Sequence, residues 1–170
     1  MEFNDVIKKR YSCRMFKKDA VEQEKLEAIL EAGRRAPTAK NLQPFRILLA
    51  RSEKAMQTID GLTRCRYGAP VVLVLICDTK KSYQYHGGKY NSGVEDVGIV
   101  ATHLMLAAEN LGLNTCWVNA FDPEEAEKAL GVDENEHVVM MLDIGYKTAI
   151  SPAAPQHLLR KKLKELVTEI

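Results

Sequence analysis

The chain has 170 residues, 46% of them hydrophobic and 28% charged, with 24 Lys and Arg against 23 Asp and Glu. That length suits one domain with a sizeable core, and a net charge of +1 gives no global field toward nucleic acid or a membrane surface. No apolar run approaches the ~20 residues that span a bilayer, the N-terminus lacks a basic-then-apolar signal pattern, and Cys13, Cys65, Cys77 and Cys116 are scattered without a CxxC, as expected of reduced thiols in a cytoplasmic protein.

In chain order, Asn4 to Lys9 reads as a short helix with Phe3, Val6 and Ile7 on one side. Asp19-Ala20-Val21-Glu22 has the cap-and-acid spacing of a helix start. Leu26, Ile29, Leu30 and Gly33 then recur at helical spacing until Pro37. Phe45 to Ala50 is a strand, and Ser52 caps a short helix through Ile59. Pro70 to Cys77 is a continuous, β-branched apolar run, the pattern of a strand buried on both faces. Thr79 to Ser92 is polar, with Tyr83, Tyr85, His86 and the pair Gly87-Gly88, and reads as a mobile excursion. Val94 to Leu111 is a helix apolar nearly all round, which places it in a core or an interface. Gly112 ends it. Asn114 to Val118 is a strand. Asp122-Pro123-Glu124-Glu125 opens a helix that stops near Gly131. His137 to Gly145 is a second buried strand. Helices and strands interleave, so the fold class is α/β or α+β. Residues 1–170 read as a single domain, in which residues 146–170, with two prolines and a basic end, form an arm reaching a partner subunit.

Several chemistries find no motif. There is no GxGxxG after a strand, no Walker loop, no HExxH and no GxSxG. His86, His103, His137 and His157 show no metal-ligand spacing, and His103 reads as a satisfied interior histidine. Three stretches stand out instead. Arg10-Tyr11-Ser12-Cys13-Arg14 would, if extended, put two guanidiniums and a hydroxyl on one face. By itself it reads more readily as a solvated basic turn. Arg160-Lys161-Lys162 is equally plain alone, yet the two segments could converge on one dianion. Pro37 to Phe45 spends two prolines, a Thr, an Asn and a Gln on a short helix-to-strand loop. Such a loop either grips something planar and polar or caps a helix.

These three stretches, with the helix–strand pair Leu104 to Trp117 between the loop and the basic tail, occur in the order and spacing of the FMN-dependent nitroreductase family, which the chain resembles from about Val6 to Leu166. The resemblance implies a central, mainly antiparallel sheet flanked by helices and a domain-exchanged homodimer with FMN at its interface. It assigns Arg10, Ser12 and Arg14 to the phosphate and ribityl chain, completed by Arg160 with Lys161. Pro37, Thr38, Ala39, Asn41 and Gln43 of the other subunit would pack against the flavin ring, and Asn119 and Ala120 would offer backbone N–H near N5. Electrons would pass from NADH or NADPH through flavin N5 to an electron-poor small molecule such as a nitroaromatic or quinone, with ping-pong kinetics and no catalytic side chain. A flavin-dependent dehalogenase, a flavin-destructase-like relative and a non-catalytic flavin carrier are the alternatives. No metal, nucleic acid or membrane is implied. Asp143 departs from the family pattern: a carboxylate in the last core strand requires a partner or a place at the sheet edge.

Overall fold

The computed structural model describes residues 1–170. Five helices, α1 (Phe3–Lys9), α2 (Gln23–Arg34), α3 (Glu53–Leu62), α4 (Gly93–Asn110) and α5 (Pro123–Leu130), alternate with four strands, β1 (Phe45–Ala50), β2 (Val71–Asp78), β3 (Asn114–Val118) and β4 (Glu136–Gly145). The strands form one antiparallel sheet in the order β1-β2-β4-β3. This is the α+β arrangement, and every pairing in it is antiparallel.

The sheet is covered on both faces, which explains the unbroken apolar reading of β2. Val71, Leu73, Leu75 and Cys77 pack with Leu26 and Ile29 of α2 and Val97, Val100, Ala101 and Leu104 of α4. Val72, Val74 and Ile76 point the other way, toward Ile59 of α3, Ala126 of α5 and the extended segment Tyr11–Phe16. Helices α2 and α4 approach so closely that a Cβ on Gly33 would lie 2.6 Å from Leu104 Cδ2, so any larger residue here would force the Leu104 side chain to shift.

Local signals are obeyed at α3 and α5. Ser52 Oγ accepts the Ala55 N–H, Asp122 Oδ1 accepts the Glu125 N–H, and Gly131 takes a left-handed φ of 63° as the α5 cap. The start of α2 differs from expectation. The helix begins at Gln23, and its cap residue Glu22 makes no capping hydrogen bond. Glu22 instead accepts the Tyr146 hydroxyl and pairs with Lys25, and the Tyr146 bond is the main reason its pKa falls to about 2. On α1 only Val6 is buried, while Phe3 and Ile7 are 65% and 45% exposed. Helix α4 buries Val97, Val100, Leu104 and Ala108 but leaves Val94 and Ile99 open. His103 is half-buried and its Nδ1 lies 2.9 Å from the carbonyl of Ile99, so its own helix serves it rather than an interior partner.

Two further expectations are corrected. The excursion after β2 is tied down: Gln84 bridges Asn91, Tyr85 N–H donates to the Tyr90 carbonyl, and Ser82 and Ser92 are buried. Asp143 has neither an edge position nor a partner. It lies on the inner strand β4, is 1% exposed, and its Oδ2 makes no hydrogen bond. Burial raises its pKa to about 9, so it is held as a neutral acid beside Val72 and Cys116 at neutral pH.

Candidate functional site

Beyond α1 the chain runs extended beside β3: Ser12 bridges Thr115, and the Cys13 N–H donates to the Thr115 carbonyl at 2.9 Å. Extension alternates the side chains. Tyr11 and Cys13 turn inward, and Arg10, Ser12 and Arg14 face a cavity of about 430 Å³. Ala154, Gln156, His157 and Arg160 close its far side. The two ends of the chain therefore converge, as the basic segments suggested they could.

Tyr11 is what brings the tail there. Its hydroxyl donates to the Ser151 carbonyl at 2.6 Å, its ring meets His157 edge-on at 6.2 Å, and Lys147 Nζ lies 5.4 Å from its centre. Cys13 Sγ adds a 3.4 Å contact to Ser151 Oγ. Sequence reasoning passed over Tyr11, although its place between the alternating Arg10, Ser12 and Arg14 marks it as inward-facing. Arg160 lines the cavity with its guanidinium turned to the carbonyls of His157 and Leu159. No carboxylate lines this cavity, and none of its three arginines forms an ion pair. Three guanidiniums and a hydroxyl without a counter-ion are a donor set for a dianion. Lys161 is exposed and does not line the cavity.

The residues expected at a flavin ring lie apart from this cavity within the chain. In the loop after α2, Lys40, Asn41 and Gln43 take left-handed φ values of 51°, 54° and 51°. Three such residues in so short a stretch are strained unless something holds them. The Thr38 hydroxyl accepts the Gln43 N–H at 3.0 Å, and Asp96 Oδ1 accepts the Ala39 N–H at 2.8 Å. The Gln43 amide donates to the Asn41 carbonyl at 3.2 Å, and the Asn41 side chain remains exposed. Pro37 is exposed as well, while Pro44 is buried and anchors the entry to β1.

Asn119 and Ala120 follow β3 at a third place. Asn119 is fixed by Trp117 Nε1–H, which donates to Oδ1 at 2.5 Å, and donates from Nδ2 to the Val139 carbonyl at 3.1 Å. The Ala120 carbonyl accepts the Thr63 hydroxyl at 2.7 Å, leaving Ala120 on the rim of a cavity of about 560 Å³ with Thr63, Arg64 and Cys65. Arg66 is occupied by Asp60 and the Ala69 carbonyl. Arg64, by contrast, lines that space and forms no ion pair.

The sequence profile of the nitroreductase family matches residues 7–67 and 65–146. A curated relative, an NADH dehydrogenase of Thermus thermophilus, is 30% identical over 173 residues, covering 81% of this chain and 83% of its own. A nitroreductase family protein of Clostridium difficile superposes with a TM-score of 0.92 at 31% identity over 99% of this chain and 98% of its own. An FMN-dependent nitroreductase of the same organism gives 0.73 at 26% identity over 92% and 96%. A profile match along most of the length, a shared antiparallel α+β fold and the converging Arg10, Ser12, Arg14 and Arg160 agree: the chain belongs to the nitroreductase family.

Proposed function

We propose that this protein is a cytoplasmic, homodimeric FMN-dependent oxidoreductase that passes electrons from NADH or NADPH to an electron-poor acceptor such as a nitroaromatic or a quinone. The observation that carries the reading is the cavity lined by Arg10, Ser12, Arg14 and Arg160, cationic and without an acid. It fits the terminal phosphate of FMN, a dianion that accepts several donors at once. FMN, when bound, supplies the two-electron chemistry that no protein side chain offers.

The chain's own residues then bind and orient. Arg10 and Arg14 neutralise the phosphate, Ser12 adds a neutral donor, and Arg160 closes over it from the tail. The loop Pro37–Gln43 contributes its exposed amides to the ring bound mainly by the partner subunit. The segment after β3, stiffened by the Trp117–Asn119 bond, presents backbone N–H groups at the ring edge. A cation near the flavin's N1/O2 edge would be supplied by Arg14 extending from the phosphate cavity, or by Arg64. The arm of residues 146–170 and the open apolar positions on α1 and α4 meet the second subunit. No side chain is needed as acid, base or nucleophile, and donor and acceptor would occupy the same face in turn, so the kinetics should be ping-pong.

The decisive experiment is an absorbance spectrum of the purified protein, followed by anaerobic addition of NADH or NADPH. Flavin bands that bleach with either nucleotide and return with a quinone or nitroaromatic support the reading. A protein that takes up no FMN would falsify it.

A further inference from the structure

The segment Thr79–Ser92 is joined mechanically to the loop before β1. Asp96, 2% exposed in the first turns of α4, accepts the Ala39 N–H at one oxygen and the Ser92 hydroxyl at the other, at 2.8 and 2.6 Å. Ser92 Oγ in turn accepts the Tyr83 N–H at 3.1 Å. The corner admits only glycine at position 93, where a Cβ would stand 2.8 Å from Ser82 Oγ and 3.0 Å from Asn91 Oδ1. Loop and excursion thus form one hydrogen-bonded body, with a single buried carboxylate bonded to both.

The outer surface of that body carries a cation on an aromatic backing. Lys40 Nζ sits 4.7 Å from the centre of the Tyr83 ring, and Tyr85 meets Tyr83 edge-on at 5.7 Å. No Asp or Glu occurs from Thr79 to Ser92. Of the acids that flank this surface, Asp78 is paired with Lys81, while Glu95 and Asp96 are turned to the Tyr85 hydroxyl and to Ala39 and Ser92 rather than to Lys40. Lys40 forms no ion pair. It also holds a left-handed backbone conformation that glycine or asparagine would adopt at less cost. An ammonium without an ion-pair partner, held on an aromatic face beside the proposed ring-facing amides, is a candidate subsite for negative charge.

We propose that Lys40, backed by Tyr83 and held in place through Asp96, is the specificity-determining residue of the acceptor site, and that it selects planar, electron-poor acceptors bearing an anionic group such as a carboxylate. The inference rests on the FMN-dependent reading above. On that reading a ring stacked on the flavin would carry a substituent toward this loop, where a carboxylate would form a hydrogen-bonded ion pair with the ammonium and a neutral amide only a weaker ion–dipole hydrogen bond.

The test compares 4-nitrobenzoate with 4-nitrobenzamide, which differ in charge and little in shape, using FMN-loaded wild type, Lys40→Arg, Lys40→Met and Lys40→Glu. Wild type should favour the anion in kcat/KM by about three- to ten-fold, as for a partly shielded ion pair. Lys40→Arg should keep the preference, Lys40→Met should bring the ratio near one through KM, and Lys40→Glu should invert it. Equal losses on both compounds, or a ratio indifferent to Lys40→Met, overturn the proposal. A parallel titration of the flavin absorbance with benzoate and benzamide separates this result from the fate of the proposed function. An anion preference lost in Lys40→Met upholds the role of Lys40 even if neither nitro compound turns over. Absence of that preference overturns it, and failure to take up FMN overturns both.

Discussion

The arginine cavity and the loop at residues 37–43 solve the same problem of displaying polar groups in opposite ways. The cavity is made wholly within one chain, from residues 10–14 and 154–160, and Tyr11 draws its two sides together. The loop displays its groups by backbone strain: Lys40, Asn41 and Gln43 are left-handed, and Asp96 and Thr38 hold the backbone N–H groups of Ala39 and Gln43. One is closed by the two ends of a single chain; the other, on the proposed function, would be completed by a second subunit. The difference predicts that phosphate recognition and ring recognition can be damaged separately.

The largest effect should come from Arg10→Ala combined with Arg14→Ala. Loss of two charge-assisted contacts should weaken FMN by about 100-fold or more while riboflavin, which lacks the phosphate, changes little. Equilibrium dialysis of both flavins measures this, and an unchanged FMN-to-riboflavin ratio would break the distinction between the halves. Asp96→Ala should do the reverse. It strands the Ala39 N–H and the Ser92 hydroxyl, at about 1–3 kcal/mol of stability, and should weaken FMN and riboflavin by the same factor. Thermal melts and the same dialysis read both numbers. A selective loss of FMN alone would move Asp96 to the phosphate half.

Asp143 lies beneath the arginine-bearing segment and gives a subtler probe. Its folded pKa of about 9 exceeds the ordinary carboxylate value, so the folded state holds a proton that the unfolded state has released. Stability should therefore fall as pH rises from about 4 to about 9, by at most about 1.4 kcal/mol per unit. Asp143→Asn removes that slope. Its melting temperature should exceed that of wild type at pH 8, and the gap should close toward pH 4; a gap independent of pH would contradict a neutral Asp143. The smallest effect is expected of Lys161→Ala. Because Lys161 stands outside the cavity, FMN affinity should stay within about two-fold, the scale of an exposed charge.

Much of this was legible in the sequence. The strands, the caps at Ser52 and Asp122, the stop at Gly131 and the shared face of Arg10, Ser12 and Arg14 follow from periodicity and local hydrogen-bond chemistry, which act over a few residues. What escaped were contacts between residues far apart in the chain. Glu22 looks like a capping acid until Tyr146, more than a hundred positions later, takes its carboxylate. Asp143 looks as if it needs a partner, because desolvation strong enough to keep it protonated depends on layers packed from both ends of the chain. The polar segment after β2 looks loose because its anchors, Ser92 and Asp96, only become anchors when α4 and the loop meet.

The tail carries one last consequence. From Tyr146 onward it contains no α-helix, only two short 3-10 turns, and Leu158, Leu159 and Leu163 are 82%, 71% and 78% exposed. Buried across a partner, those side chains would make completion of the fold a second-order event. Melting temperature would then rise with protein concentration by mass action. Dilution, as well as heat, would become a way to loosen Arg160 from the cavity it closes.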